Sequence, residues 1–315
     1  MSILVVGSVA FDAIETPSGS RDRCVGGAAT YFALAASYFT PVRVIGVVGE
    51  DFGPTEESIL TQRNIDTRGI EHVPGKSFFW SGSYMKNLNE AHTLSTELNV
   101  FQSFSPKIPA AYEDSEYLFL ANIDPVLQAD VRRKMPKVKM VCGDTMNYWI
   151  KDHAENLAAV LENLDALLIN DTEVKMLAQE TNLLLAARKV LAMGPKSLVV
   201  KHGEYGATAF FSDQSFAGPS LTSKPHATTP FRAPALPLAE VVDPTGAGDS
   251  FAGGFFGYIA SQPELTPAVF RRAMFYGGVM GSFAVERFGT ERLQQLSSSE
   301  IEERFALFRQ LSHLE

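Results

Sequence analysis

The segment Val241-Val242-Asp243-Pro244-Thr245-Gly246-Ala247-Gly248-Asp249-Ser250 carries more structural information than any other in the chain. It reads as a strand that ends, a glycine-containing turn, and a helix that begins. Gly246 and Gly248 let the backbone bend and let its N–H groups come close to a ligand. The first turn of the helix adds unpaired N–H donors and the positive end of the helix dipole. Together these make an anion site suited to phosphate. The loop is not of the Walker A type, because no lysine follows its last glycine. A carboxylate, Asp249, stands there instead. Amides that stabilise a moving phosphoryl group, beside an acid that takes the proton of an attacking hydroxyl, form a transfer site rather than a grip. The plain alternative is an acid favoured in a first turn by the helix dipole.

The helices around this segment support the first reading. Gly253, Gly254 and Gly257 fall in one, and Gly277, Gly278 and Gly281 in the next. Each glycine in a helix interior costs about 0.8–1 kcal/mol relative to alanine. Close packing of two helices, or of a helix against a ligand, offsets that cost.

Further upstream, short apolar runs alternate with helical patterns. Strands are predicted at Ile3–Gly7, Val42–Val48, Tyr117–Ala121, Val138–Cys142, Ala166–Ile169 and Ser197–Lys201. Helices are predicted at Ala28–Phe39, Pro54–Arg63, Pro125–Met135, His153–Leu161, Asp171–Ala178, Leu183–Met193, Gly248–Ala260, Pro267–Val285 and Ser299–Leu311. The strands are continuously apolar, as strands buried on both faces are. Their alternation with helices implies an α/β fold with a mostly parallel sheet. Phe78–Met85 and Ala91–Phe101 break the rhythm as a hairpin around Lys86–Glu90, an excursion that suits a lid over a cleft. Ser212–Pro237 reads as a long loop with short edge strands.

Bulk properties narrow the class. The 315 residues are 45% hydrophobic with a net charge of −9, and no basic stripe marks a nucleic-acid binder. Two cysteines, Cys24 and Cys142, make neither a disulfide framework nor a metal site. No run reaches the ~18 apolar residues of a membrane span, and the N-terminus lacks the features of a signal peptide. A cytoplasmic protein is expected.

Asp243-Pro244-Thr245-Gly246-Ala247-Gly248-Asp249 resembles the C-terminal signature of the ribokinase/PfkB superfamily of carbohydrate and nucleoside kinases, a strand running into D-T-x-G-A-G-D and a helix. The resemblance extends over nearly the whole chain. It implies a ribokinase-like three-layer α/β/α sandwich with a mostly parallel central sheet and a small β lid, residues 1–315 forming one kinase domain and about 11–25 and 77–101 the lid. It also implies ATP and Mg2+ as cofactors, and transfer to a hydroxyl of a small sugar or nucleoside, with a lean to a ribose-containing substrate such as a nucleoside.

The same resemblance assigns residues. Asp249 is the catalytic base, and Gly246, Ala247 and Gly248 form the anion hole. Asp12, at the end of Gly7-Ser8-Val9-Ala10-Phe11-Asp12, holds substrate hydroxyls; by position alone it lies past a strand end at the ligand-binding edge of an α/β sheet. Gly26 and Gly27, opening Gly26-Gly27-Ala28-Ala29-Thr30-Tyr31, contact the substrate, with Tyr31 where the family usually has Asn. Asp144-Thr145-Met146-Asn147 resembles the substrate-side D-x-N region and adds Asn147. Asn170 and Glu173 match an N-x-x-E motif that organises the phosphates and holds magnesium through water, as suits a hard cation; read locally, they are also a helix cap. Gly203, Thr245 and Gly281 join Gly246 and Gly248 at the nucleotide. Asp243, with Glu286–Arg292, resembles a monovalent-cation site for an ion such as K+. The lid aromatics Phe78, Phe79, Trp80 and Tyr84 form its own small core or stack on a base or sugar. A monomer and a homodimer through the lid both fit. The rival readings are a non-catalytic regulatory protein that binds a sugar or nucleotide on the same fold, and a vitamin kinase for a pyridoxal- or pyrimidine-type substrate.

Overall fold

The computed structural model describes residues 1–85, 87–212 and 230–312. In chain order they form β1 (Ile3–Val6), β2 (Ala10–Thr16), β3 (Gly19–Gly26), α1 (Ala28–Ala36), β4 (Val42–Val48), α2 (Pro54–Thr61), β5 (Asp66–His72), β6 (Phe78–Ser83), β7 (His92–Glu97), β8 (Tyr117–Leu120), α3 (Pro125–Lys134) and β9 (Met140–Gly143). There follow α4 (Asn147–Asp152), α5 (Ala154–Leu161), β10 (Ala166–Asn170), α6 (Asp171–Ala178), α7 (Leu183–Leu191), β11 (Ser197–Lys201), β12 (Ala207–Phe211), β13 (Phe231–Ala233), α8 (Ala247–Ser261), α9 (Pro267–Ala284), α10 (Glu291–Gln294) and α11 (Ser298–Ser312).

Nine strands form one sheet in the order β13-β12-β11-β10-β9-β8-β1-β4-β5. From β11 to β5 neighbouring strands run parallel, and β12 and β13 add an antiparallel edge. Alternate residues of each inner strand enter opposite cores. Ile3 and Val5, with Tyr117 and Phe119, pack beneath α1, α8 and α9. Leu4 and Val6, with Leu118 and Leu120, pack beneath α3, α5 and α7. This two-sided burial makes the continuous apolar runs of the sequence into an α/β fold of three layers. Among the described residues no helix is long and apolar enough to cross a membrane.

A second sheet of four strands, β3-β2-β6-β7, stands apart from the first. β6 and β7 are the antiparallel pair anticipated around residues 86–90, and β2 joins β6 in parallel. Of the anticipated loop at 212–237, residues 213–229 lie outside the described residues, and Phe231–Ala233 is an edge strand.

Three expectations need correction. Val241 and Val242 are not a strand but an extended approach whose Val242 and Asp243 amides donate to the Val285 carbonyl. Asp12 lies inside β2 rather than in the turn after β1. β5 escaped notice because an edge strand needs few apolar residues; only Gly69 and Ile70 of it are buried.

The helical glycines prove to be packing devices. A Cβ on Gly253 would stand 2.4 Å from the Phe32 carbonyl oxygen of α1, and one on Gly254 would stand 2.6 Å from the Tyr276 carbonyl of α9. Gly257 meets Ala36, and Gly277 meets the Phe251 carbonyl. Helix α8 is therefore clamped between α1 and α9, which fixes where its first turn sits.

Candidate active site

Parallel strands place all their C-terminal ends on one edge, where α/β sheets bind ligands. Asp144 follows β9, Asn170 ends β10 and Lys201 ends β11. Asn170 and Lys201 are direct register partners. Helix α8 brings its own N-terminus to this edge.

The first turn of α8 is built as the sequence suggests. Gly246 takes a left-handed φ of 71°, and no side chain caps the helix. Among the described residues the Gly246 and Gly248 amides donate to no other group. Asp243 is fully buried and holds the turn from below: its Oδ1 accepts from the Thr245 amide and its Oδ2 from the Gly289 amide, both at 2.8 Å. Burial raises the Asp243 pKa above the usual carboxylate range. Gly281 stands behind this turn, where a Cβ would lie 3.3 Å from the Ala247 carbonyl. It spaces α9 from α8 at the level of the first turn.

Asp249 is half-buried in that first turn. Burial, and next the charge of Asp144, push its pKa up to about 8, against the pull of Lys201. Glu173 is raised to about 7 by burial and by Asp144, and Asp144 is raised by burial. Asn170 and Glu173 form a reciprocal capping box at the start of α6, each side chain accepting the other's amide at 2.8 Å. The local reading of this motif is thus correct, and it leaves the Glu173 carboxylate buried beside Asp144 and Lys201.

Asp12 is buried against Gly26, where a Cβ would stand 1.9 Å from its Oδ2. Only glycine admits the carboxylate there. Burial and the Asp243 charge lift the Asp12 pKa to about 7, opposed by the Gly27 amide and the Tyr31 hydroxyl. Gly27 holds φ at 93° and caps α1 with no room for a side chain, since a Cβ would lie 2.4 Å from the Ser8 carbonyl. Tyr31 lies flat against Gly246, whose Cβ would be 2.3 Å from its ring. The tyrosine hydroxyl is buried and falls short of a hydrogen bond to any group among the described residues, although it is near enough to Asp12 to favour its ionised form.

The four-stranded sheet is tied to the same loop. The Thr16 hydroxyl donates to the Val242 carbonyl at 2.8 Å, and Thr245 Oγ1 to Tyr84 Oη at 3.3 Å. Asn89, in the β6–β7 turn, sits over Gly203 so closely that a Cβ there would be 1.8 Å from its Oδ1. Of the aromatics anticipated for stacking, Phe78 stacks on Phe101 and Tyr84 is buried. Trp80 donates to Thr93 Oγ1 and covers Gly82 of its own strand. Asn147 opens α4, exposed, and hydrogen-bonds to none of the acids above. Lys201 is not among the sequence-predicted site residues, although it ends a predicted strand two residues before Gly203. Nothing local distinguishes it from a surface lysine; only the sheet register does.

Comparison with known proteins agrees with this geometry. The profile of the pfkB family carbohydrate kinases matches residues 2–295. A cytidine kinase of Thermococcus kodakarensis is 28% identical over 270 residues, covering 84% of this chain and 90% of that protein. The nucleoside kinase of Methanocaldococcus jannaschii superposes with a TM-score of 0.75 at 19% identity, covering 97% of this chain and 98% of that one. A putative ribokinase II from E. coli, solved with ATP and Mg2+, also gives 0.75, at 20% identity, covering 98% and 99%. The chain belongs to the pfkB family of carbohydrate kinases, and it is an ATP-dependent kinase with an alcohol group of a sugar or nucleoside as acceptor.

Proposed function

We propose that the chain transfers the γ-phosphoryl group of ATP to a ribose hydroxyl of a nucleoside, with Asp249 as the base. One observation carries this reading: an uncapped helix start with unused amides holds an acid whose pKa is lifted to about 8. A general base works best with a pKa near the operating pH. Asp249 takes the proton of the acceptor hydroxyl. The Gly246 and Gly248 amides donate to the phosphoryl oxygens, where charge concentrates during transfer. Asp12, seated against Gly26 and next to Gly27, accepts hydrogen bonds from substrate hydroxyls. Thr245 and Gly203 flank the nucleotide, and the four-stranded sheet acts as a lid that keeps water out.

Asn170 and Glu173 fit magnesium. Their donors are hard oxygens, and although Asn170 Oδ1 and Glu173 Oε2 each accept one amide of the capping box, Glu173 Oε1 accepts from no group among the described residues. Magnesium held there would supply positive charge against the developing charge of the phosphate oxygens. Asp243 and the loop hydrogen-bonded to it through Gly289 are where a monovalent cation such as K+ would bind.

The cytidine kinase and nucleoside kinase relatives support the choice of a nucleoside. ATP-dependent phosphorylation of a panel of nucleosides and free sugars, followed by mass spectrometry of the product, tests it. The expected result is a kcat/KM for the best nucleoside at least tenfold above that for any free sugar. A free hexose as the best acceptor refutes the nucleoside assignment.

A further inference from the structure

Lys201 is a buried ammonium with too few partners. Its side chain is only 16% exposed. It contributes three N–H donors, and among the described residues the one acceptor is Asp144 Oδ2, at 3.5 Å. Charge-assisted N–H···O bonds run to about 2.7–2.9 Å, so that contact is loose. Buried charges are costly unless they are paired and hydrogen-bonded. Burial works against the Lys201 charge, yet the carboxylates of Asp144, Glu173 and Asp249 together outweigh it and hold its pKa above the usual value. The Nζ atom also lies 3.1 Å from where a Cβ on Gly248 would stand. A cation with unused donors thus sits against Gly248 of the α8 turn and among the acids of the site.

We infer that Lys201 is a catalytic residue that binds the γ-phosphoryl group of ATP beside the α8 amides and accompanies it to the acceptor. This rests on the kinase reading of the same site. In the transfer the acceptor oxygen forms a bond to the γ-phosphorus and loses its proton to Asp249. The bond from that phosphorus to the β,γ-bridging oxygen breaks, and the electron pair leaves with ADP. Lys201 keeps its proton throughout and gives the two N–H donors that Asp144 leaves unused to oxygens of the phosphoryl group. A lysine missing from the glycine loop is in this way provided by a strand end, which only the sheet register brings to the loop.

The experiment compares the wild type with Lys201→Met, measuring kcat, acceptor KM, and affinity for ADP and for a non-hydrolysable ATP analogue bearing a γ-group. Loss of one positioned donor to a developing charge costs about 10²–10³ in kcat, and that loss is expected with acceptor KM held within about threefold. The analogue should lose tenfold or more in affinity while ADP changes little, and ethylammonium should partly restore kcat to Lys201→Ala. A lysine that merely ties β11 to β9 would weaken both nucleotides alike and give no amine rescue, and that result overturns the inference. Should Lys201→Met fail to fold, the double variant Lys201→Met/Asp144→Asn removes one charge of each sign. It must show the same selective loss of analogue affinity, and wild-type discrimination there is equally fatal. A wild-type chain that phosphorylates no sugar or nucleoside defeats the site reading itself, whereas an active wild type with an unaffected Lys201→Met variant defeats only the role of Lys201.

Discussion

Replacing Asp249 with Asn should damage the enzyme and stabilise the fold at the same time. The catalytic half is a loss of about 10²–10⁴ in kcat, the scale of a positioned base. The stability half follows from the pKa. In the unfolded chain the carboxyl titrates at 3.8, and in the fold at about 8. Below pH 3.8 both states carry the proton and the substitution is neutral. Between those two values the unfolded chain has released its proton while the fold still holds it, so wild-type stability falls as pH rises and the deficit is complete above pH 8. Each pKa unit of difference is worth 1.36 kcal/mol, which sets a ceiling of about 5–6 kcal/mol. Asp249 is half-buried in a cleft and shares its field with Lys201, so solvent screening reduces this to about 1–3 kcal/mol. For a chain of 315 residues that is roughly 2–5 °C in Tm. Thermal unfolding of both proteins from pH 4 to pH 8.5, beside turnover assays, checks both halves. A variant that keeps near-normal turnover refutes the base assignment. One that loses turnover while becoming less stable than the wild type at pH 8 shows that the carboxylate is satisfied in the fold, and the argument from burial fails.

Two further substitutions probe the packing that places the site. Gly253→Ala and Gly278→Ala share the same gain in helix propensity, about 1 kcal/mol. The first drives a Cβ to 2.4 Å from the Phe32 carbonyl, whereas the second meets only the Phe308 ring at 3.2 Å; overpacking against backbone costs about 1–3 kcal/mol. Urea titrations should find Gly253→Ala destabilised by about 1–2 kcal/mol and Gly278→Ala unchanged or stabilised, and equal signs for the two would contradict the clamp on α8. Tyr31→Phe removes a buried hydroxyl without a hydrogen bond. It should leave stability unchanged or raise it by up to about 1 kcal/mol, and a loss larger than that would mean the hydroxyl donates to Asp12 after all.

Much was legible in the sequence because local physics decides it. Strands buried on both faces are apolar at every position, so β1, β4, β8, β10 and β11 stood out. A phosphate-binding helix start needs glycines and a free first turn, and the D-P-T-G-A-G-D stretch of residues 243–249 supplies them within a few residues. Asn170 and Glu173 were visible as a cap for the same reason. β5 was not visible, since an edge strand buries too little to leave a pattern. The position of Asp12 inside the second sheet was not visible either, because strand pairing with β3 and β6 is a long-range choice. Lys201 shows the limit most clearly. Its sequence neighbours describe a turn, while its character comes from Asp144, Glu173 and Gly248, which reach it only when parallel strands align their ends and α8 is clamped between α1 and α9. Composition and local pattern determined the fold class and the glycine turn that opens α8. The field that sets the charge of each acid around that turn depends on distances between residues remote in the chain, and packing alone decides those.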